Sequence, residues 1–323
     1  MIAMTLPPLA SLQAAADLVH SVMPPTPQIR WPLLCARVGA ETWVKHENHS
    51  PLGAFKVRGG LVYMDALRRR EPEVSGVVTA TRGNHGQSVA FAARRIGLRP
   101  VIVVPFGNSM EKNAAMRALG AELVEHGADF QEAYERAAVL AETERLHLVR
   151  SFDAALLAGV SSYALELFQA VPKLDAVYVP IGMGSGICGT VAARNALGEA
   201  TEVIGVVAAQ APAYARSFAA GRPVAAAVGE TIADGMACRV PDAAAVEIIL
   251  GGVSRVVTVE EEEIQAAMRH TFSDTHNAAE GAGAAGLAAL LQERERMRGR
   301  RVAVILSGGN VDTGVFARTL AGT

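Results

Sequence analysis

Five short apolar runs constrain the fold more than any other feature of this chain: residues 76–79, 100–104, 176–180, 202–207 and 301–306. Each is rich in Val and Ile and nearly continuous in apolar character, the pattern of strands buried on both faces of a parallel sheet. Between them lie Ala-, Leu-, Glu- and Arg-rich stretches with helical spacing, among them 88–96, 111–119, 129–146 and 260–270. The Ala-rich stretches 211–227 and 277–291 have the composition of loop plus helix. Such alternation predicts an α/β fold with helices on both faces of parallel sheets. At 323 residues the chain exceeds one ordinary domain, so two lobes are expected.

Composition excludes several function classes. Half of the residues are apolar, yet no run reaches the roughly 18 uninterrupted apolar residues of a membrane span. The first twenty residues contain an acid and no basic leader, so no signal peptide is expected. A net charge of −2 offers no general attraction for nucleic acid or an anionic membrane. The three cysteines, Cys35, Cys188 and Cys238, are scattered and form neither a disulfide framework nor a metal-ligand spacing. A cytoplasmic protein acting on a small molecule fits, as does any soluble globular protein.

In parallel sheets, ligands bind beyond the carboxyl ends of the strands. Three strands run into polar glycine-containing turns: Thr81-Arg82-Gly83-Asn84-His85-Gly86, Gly182-Met183-Gly184-Ser185-Gly186-Ile187-Cys188-Gly189, and Ser307-Gly308-Gly309-Asn310. The second has four glycines in eight residues and opens a helix expected over about 187–197. Glycines let backbone N–H groups converge, and a helix N-terminus adds positive partial charge, so this turn suits a phosphate. It also matches G-x-G-x-x-G, but a dinucleotide site wants an acid at the end of the next strand. That strand ends Val206-Val207-Ala208-Ala209-Gln210. A monophosphate cofactor is favoured over NAD.

Lys56 follows a Pro/Gly turn and Phe55, and begins a helical pattern with apolar Leu61, Met64 and Leu67. One lysine is ordinarily a solvated surface residue. An amine in a partly apolar pocket has its neutral form favoured, which a Schiff-base lysine needs.

Here the chain resembles a known family. The segment Pro51-Leu52-Gly53-Ala54-Phe55-Lys56-Val57-Arg58-Gly59 is similar to the P-x-G-S-F-K-x-R-G cofactor-lysine motif of the fold type II pyridoxal-phosphate enzymes, and most to their threonine/serine dehydratase and serine racemase group. The loop Gly83-Asn84-His85-Gly86-Gln87, the phosphate turn from Gly182, the segment Glu280-Gly281-Ala282-Gly283 and the terminal Ser307-Gly308-Gly309-Asn310 follow in the family's order, so the resemblance runs from about Lys45 to Asn310.

The resemblance implies a two-lobed, tryptophan synthase β-like fold. Residues 1–75 plus 152–323 would form a large cofactor-binding domain, and 76–151 a small inserted domain. It implies pyridoxal 5'-phosphate held by Lys56 as a Schiff base, Lys56 then serving as the base for the Cα proton. Asn84 would bond the ring O3′, the backbone of Gly182, Met183, Gly184, Ser185 and Gly186 the phosphate, and Ser307 the ring nitrogen, with Phe55 beside the cofactor. A hydroxyl at 307 does not enforce a pyridinium, which suits β-elimination. Thr81, Arg82, Gly83, Asn84 and His85 would bind the substrate carboxylate. On the residues alone, Asn84 also suits a turn, His85 reads as a packed loop histidine rather than a base, and Glu280 either shapes the pocket or caps a helix.

Three departures from the family pattern matter. Ala54 stands where the motif has serine. Arg82 stands where serine racemases of this group carry their second base; a guanidinium is no base at neutral pH, which disfavours racemization. Arg82 either grips a carboxylate or points to solvent. Val207 and Ala213 stand where metal-dependent members carry acids, so no metal site is expected. The expected reaction converts a 3-hydroxy amino acid, L-threonine or L-serine by default, to a 2-oxo acid and ammonia; 3-hydroxyaspartate or phenylserine are the rivals. Serine racemase, an NAD oxidoreductase and a non-catalytic binding protein are less favoured, the last because lysine and phosphate turn are both present. A homodimer is the family expectation. Only a short tail follows Asn310, so a catabolic role without feedback inhibition is expected.

Overall fold

A computed structural model describes residues 5–322 of the chain; the part of the N-terminal reading that falls on residues 1–4 lies outside them. In chain order the elements are α1 (Leu9–His20), β1 (Gln28–Arg30), α2 (Pro32–Val38), β2 (Glu41–His46), α3 (Lys56–Arg70), β3 (Gly76–Ala80), α4 (Asn84–Arg95), β4 (Arg99–Val104), α5 (Met110–Ala118), β5 (Glu122–Glu125), α6 (Phe130–Thr143), β6 (His147–Leu148) and α7 (Ala154–Ala170). There follow β7 (Ala176–Pro180), α8 (Ser185–Leu197), β8 (Glu202–Ala208), α9 (Ala213–Ala220), α10 (Ala243–Gly252), β9 (Arg255–Val259), α11 (Glu261–Thr275), α12 (Gly281–Gln292), α13 (Arg294–Met297), β10 (Arg301–Leu306) and α14 (Thr313–Ala321).

The chain divides into two compact units. One holds residues up to 55 and from 160 on, the other 56–159. The larger contains a six-stranded sheet in the order β1-β2-β10-β7-β8-β9, parallel except for β1. The smaller contains a parallel sheet in the order β5-β4-β3-β6. In the smaller unit β3 is buried along its whole length, and its core joins Val78, Val101 and Val103 to Ala133, Ala137 and Leu140 of α6. In the larger, β7, β8 and β10 pack on α12, a helix so rich in Ala and Gly that it lies flat on the sheet.

The smaller unit, residues 56–159, takes in the whole of the expected insert 76–151 together with α3 and the start of α7. The cause lies in α3, which packs on α4 so closely that a Cβ at Gly60 would collide with the Ser88 hydroxyl. Strand β2 was not singled out, because its buried positions include Lys45 and His46, polar residues that disguise a strand beside β10.

Helix ends follow local chemistry. Ser109, Asp129 and Asp242 accept backbone N–H groups at the starts of α5, α6 and α10, and Glu260 with Glu263 forms a capping box on α11. Among the described residues, no helix is long and apolar enough to cross a membrane.

Candidate active site

The residues singled out by the sequence fall in both units, and each unit builds its own set locally. In the larger unit, β7 ends at Pro180 and leads to Gly182, where a Cβ would collide with the Gly235 carbonyl oxygen. Gly184 caps α8 at φ 101°, a conformation that side-chain-bearing residues rarely adopt. The Cys188 N–H bonds back to the Gly184 carbonyl. The N–H groups ahead of it have no intrahelical acceptor, and they carry the positive end of the helix dipole.

Two buried tyrosines hold this turn from behind. Tyr214 donates to the Met183 carbonyl at 2.9 Å, and Tyr163 to the Gly186 carbonyl at 2.7 Å. A trans peptide points its C=O and the following N–H in opposite directions. Drawing those carbonyls back therefore turns the N–H groups of Gly184 and Ile187 the other way. Burial raises the Tyr214 pKa far above its ordinary value, so the phenol stays protonated as a donor. A Cβ at Gly186 would meet the Phe55 ring and the Tyr163 hydroxyl at 3.5 Å, an ordinary contact, so the protein's own packing does not demand glycine there. Bare backbone with converging donors fits a phosphate ester.

The turn that precedes Lys56 is stitched to the end of β10. Phe55 N–H donates to the Ser307 carbonyl at 3.1 Å, and Gly309 N–H to the Gly53 carbonyl at 2.9 Å. Ala54 and Gly308 form an antiparallel bridge, and Asn310 Nδ2 donates to the Leu52 carbonyl at 2.8 Å. The Ser50 hydroxyl closes the turn, accepting from Ala54 N–H at 2.9 Å and donating to the Ala54 carbonyl at 2.8 Å. The Phe55 ring stands edge-on to Tyr163. Thus Phe55, Gly186 and Ser307 are brought together. Ser307 is buried at the end of β10, where its carbonyl accepts the Phe55 N–H. Glu280 is buried at the start of α12, where its side chain does not cap the helix; instead it lies against Gly308.

In the smaller unit Lys56 begins α3, half-buried, and its carbonyl accepts from Ser88 Oγ of α4 at 2.6 Å. One turn before Ser88, Asn84 and His85 open α4. The Thr81 hydroxyl organises the loop ahead of them, accepting from the N–H groups of Gly83 at 3.0 Å and Gly86 at 3.3 Å. The Gly83 N–H, expected to bind a substrate carboxylate, is therefore engaged within the loop. His85 is buried with Nε2 lacking a partner, and burial, then the nearby Lys56 charge, lower its pKa to about 3. At neutral pH that imidazole is therefore uncharged. Arg82 is exposed and makes no ion pair among the described residues. Val207 and Ala213 are buried apolar side chains, and among the described residues no group of three metal-ligating side chains converges.

Sequence reasoning missed Tyr163, Tyr214, Ser50 and Ser88. The one hint was a tyrosine in each of two Ala-rich helices, since a buried phenol needs a partner.

Comparison with known proteins places these features in a family. The family described as pyridoxal-phosphate dependent enzyme matches residues 20–308. The L-threonine ammonia-lyase of Geobacter sulfurreducens is 38% identical over 307 residues, covering 94% of this chain and 76% of the relative. The L-threo-3-hydroxyaspartate ammonia-lyase of a Pseudomonas species is 33% identical, covering 95% of this chain and 97% of the relative. Among solved structures, maize serine racemase superposes with a TM-score of 0.91 at 27% identity, over 98% of both chains.

Proposed function

This chain belongs to the family of pyridoxal-phosphate-dependent enzymes, and on that premise we propose that it eliminates water from a 3-hydroxy amino acid to give an enamine, whose imine tautomer takes up water and yields a 2-oxo acid and ammonia. L-Threonine, the amino acid named for the Geobacter sulfurreducens relative, or L-serine is the default substrate. The observation that carries this reading is the stitched turn: Phe55, one peptide bond from Lys56, is held both to Ser307 and beside Gly186.

In this reading Lys56 would hold the cofactor, and its amine, when free, would be the base for the substrate Cα proton. The N–H groups around Gly182, Met183, Gly184, Ser185 and Gly186 hold the phosphate, Ser307 the ring nitrogen and Asn84 the ring hydroxyl. When bound, the cofactor supplies an electron sink next to the substrate Cα. Ser307 is uncharged and keeps that sink moderate, which favours prompt loss of the 3-hydroxyl. The loop of Thr81, Arg82, Gly83, Asn84 and His85 would hold the substrate carboxylate through N–H and hydroxyl donors, the Asn84 side chain being kept for the ring hydroxyl. The larger unit serves as the cofactor-binding domain, and the protein works as a homodimer in the cytoplasm.

A second reading, 3-hydroxyaspartate as substrate, is favoured by one observation. Arg82 presents an exposed guanidinium, without an ion pair among the described residues, on the loop assigned to the carboxylate, and the relative matched over 97% of its length is named for L-threo-3-hydroxyaspartate. The test is 2-oxo acid release by cofactor-loaded protein with L-threonine, L-serine, 3-hydroxyaspartate isomers and phenylserine, with EDTA present. Turnover of threonine or serine supports the first reading, and turnover of hydroxyaspartate alone the second. No turnover of any of them overturns the dehydratase assignment.

A further inference from the structure

Segment 45–48, which leads into the turn before Lys56, is pinned by every one of its side chains within the larger unit. The Lys45 ammonium, fully buried, donates to the Thr26 carbonyl at 2.6 Å, to Gln28 Oε1 at 3.1 Å and to Glu166. Glu47 accepts from the Thr26 hydroxyl at 2.6 Å. Asn48 Nδ2 donates to Asn277 Oδ1 at 3.2 Å, and the Asn48 Cβ sits where a Cβ on Gly309 would approach to 3.3 Å.

His46 lies at the centre. The Trp31 indole N–H donates to His46 Nε2 at 2.9 Å, and an indole can only donate. Nε2 is therefore the acceptor nitrogen, the proton sits on Nδ1, and Nδ1 donates to Asn48 Oδ1 at 3.2 Å. A neighbouring ring, His49, lies 4.9 Å away at 30° and bonds Asn277 Oδ1 at 2.6 Å. Asn277 in turn is fixed by the carbonyl and hydroxyl of Thr275. One imidazole in one tautomer thus links α2, the approach to Lys56 and the segment leading to Glu280.

We propose that His46 is a positioning residue: held as a neutral Nδ1–H tautomer between Trp31 and Asn48, it fixes the turn from which Lys56 issues and so governs how firmly the cofactor is retained. The proposal rests on the reading of Lys56 as the cofactor's attachment point. The titratable groups facing His46 are His49 and Lys45; burial, which acts most strongly, and these neighbours lower its pKa to about 4. At neutral pH the tautomer therefore persists.

Three variants test this in the cofactor-loaded enzyme, with Trp43→Phe as background so that Trp31 is the sole indole reporter. His46→Gln supplies one acceptor and one donor and cannot titrate; His46→Leu supplies neither; Trp31→Phe removes only the donor. The readouts are Trp31 emission against pH and the rate of cofactor loss on dialysis, followed by visible absorbance. His46→Leu should lose cofactor about tenfold faster at pH 7, from the cost of an unsatisfied buried donor. Trp31→Phe should move in the same direction, while His46→Gln should stay close to the parent. The parent's Trp31 emission should change toward pH 4, and that of His46→Gln should not. Equal retention in parent and His46→Leu, or equal loss in His46→Leu and His46→Gln, overturns the proposal. Lys56→Ala is the separate control: if it keeps the covalent chromophore, the reading of Lys56 fails instead.

Discussion

The Tyr163 phenol, fully buried, donates to the Gly186 carbonyl at 2.7 Å, and Thr190 donates to the same oxygen at 3.0 Å. These two bonds fix the direction of the Gly186 carbonyl in the first turn of α8. Tyr163→Phe keeps the ring and removes one donor, so the helix should form while the phosphate turn loosens. Apo protein titrated with pyridoxal phosphate should bind about five- to tenfold more weakly, the loss of one buried hydrogen bond. Unchanged affinity would show that Thr190 alone holds the carbonyl.

Buried neutral histidines make stability depend on pH. Burial and neighbouring positive charge lower His46 from the ordinary 6.5 to about 4, and His85 to about 3. The unfolded chain binds these protons first. Their contribution is therefore intact above pH 6.5 and is lost as pH falls toward 4 for His46 and 3 for His85. Each should lower stability by about 1.4 kcal/mol per pH unit within its window. Urea unfolding at pH 7 and pH 5 checks this, and His46→Gln should show a shallower fall than the parent. Identical falls would mean that His46 already carries its proton in the native state.

Lys45 is the deepest cation of the larger unit, with its ammonium shared by Thr26, Gln28 and Glu166. Lys45→Met removes the ammonium from buried Glu166, whose Oε1 His20 Nε2 still contacts at 2.8 Å. The variant should lose about 3–5 kcal/mol, the cost of breaking a buried ion pair from one side. Adding Glu166→Leu should recover part of it. A double variant less stable than Lys45→Met would show that His20 suffices to hold the carboxylate.

Arg82 decides between the two substrate readings. If its guanidinium binds a second carboxylate, Arg82→Ala should lower kcat/KM for 3-hydroxyaspartate about ten- to a hundredfold and leave serine nearly unchanged. If it serves only as a solvated surface group, both substrates should respond alike. Parallel kinetics on the two amino acids separate these outcomes.

Much of the architecture was legible in the sequence because its signals are local. Continuous apolar runs gave β3, β4, β7, β8 and β10, and the glycine turn after β7 announced a helix N-terminus suited to phosphate. The order of motifs around Lys56, Asn84, Gly182 and Ser307 marked the family. Strand β2 and the reach of the smaller unit to Lys56 stayed hidden, since Lys45 and His46 are polar where a buried strand is expected to be apolar.

What the sequence determined by itself was therefore what neighbours along the chain dictate: periodicity, turns and the chemical type of each candidate group. Only the tertiary structure decided which groups are held, and by what. Trp31 chose the tautomer of His46, Tyr163 and Tyr214 turned back the carbonyls of a loop they do not border in sequence, and Ser307 met Phe55 as the partner of its N–H. A hydrogen bond between residues far apart in the chain leaves no periodic trace, because its partner is supplied by the packing of separate elements rather than by local spacing.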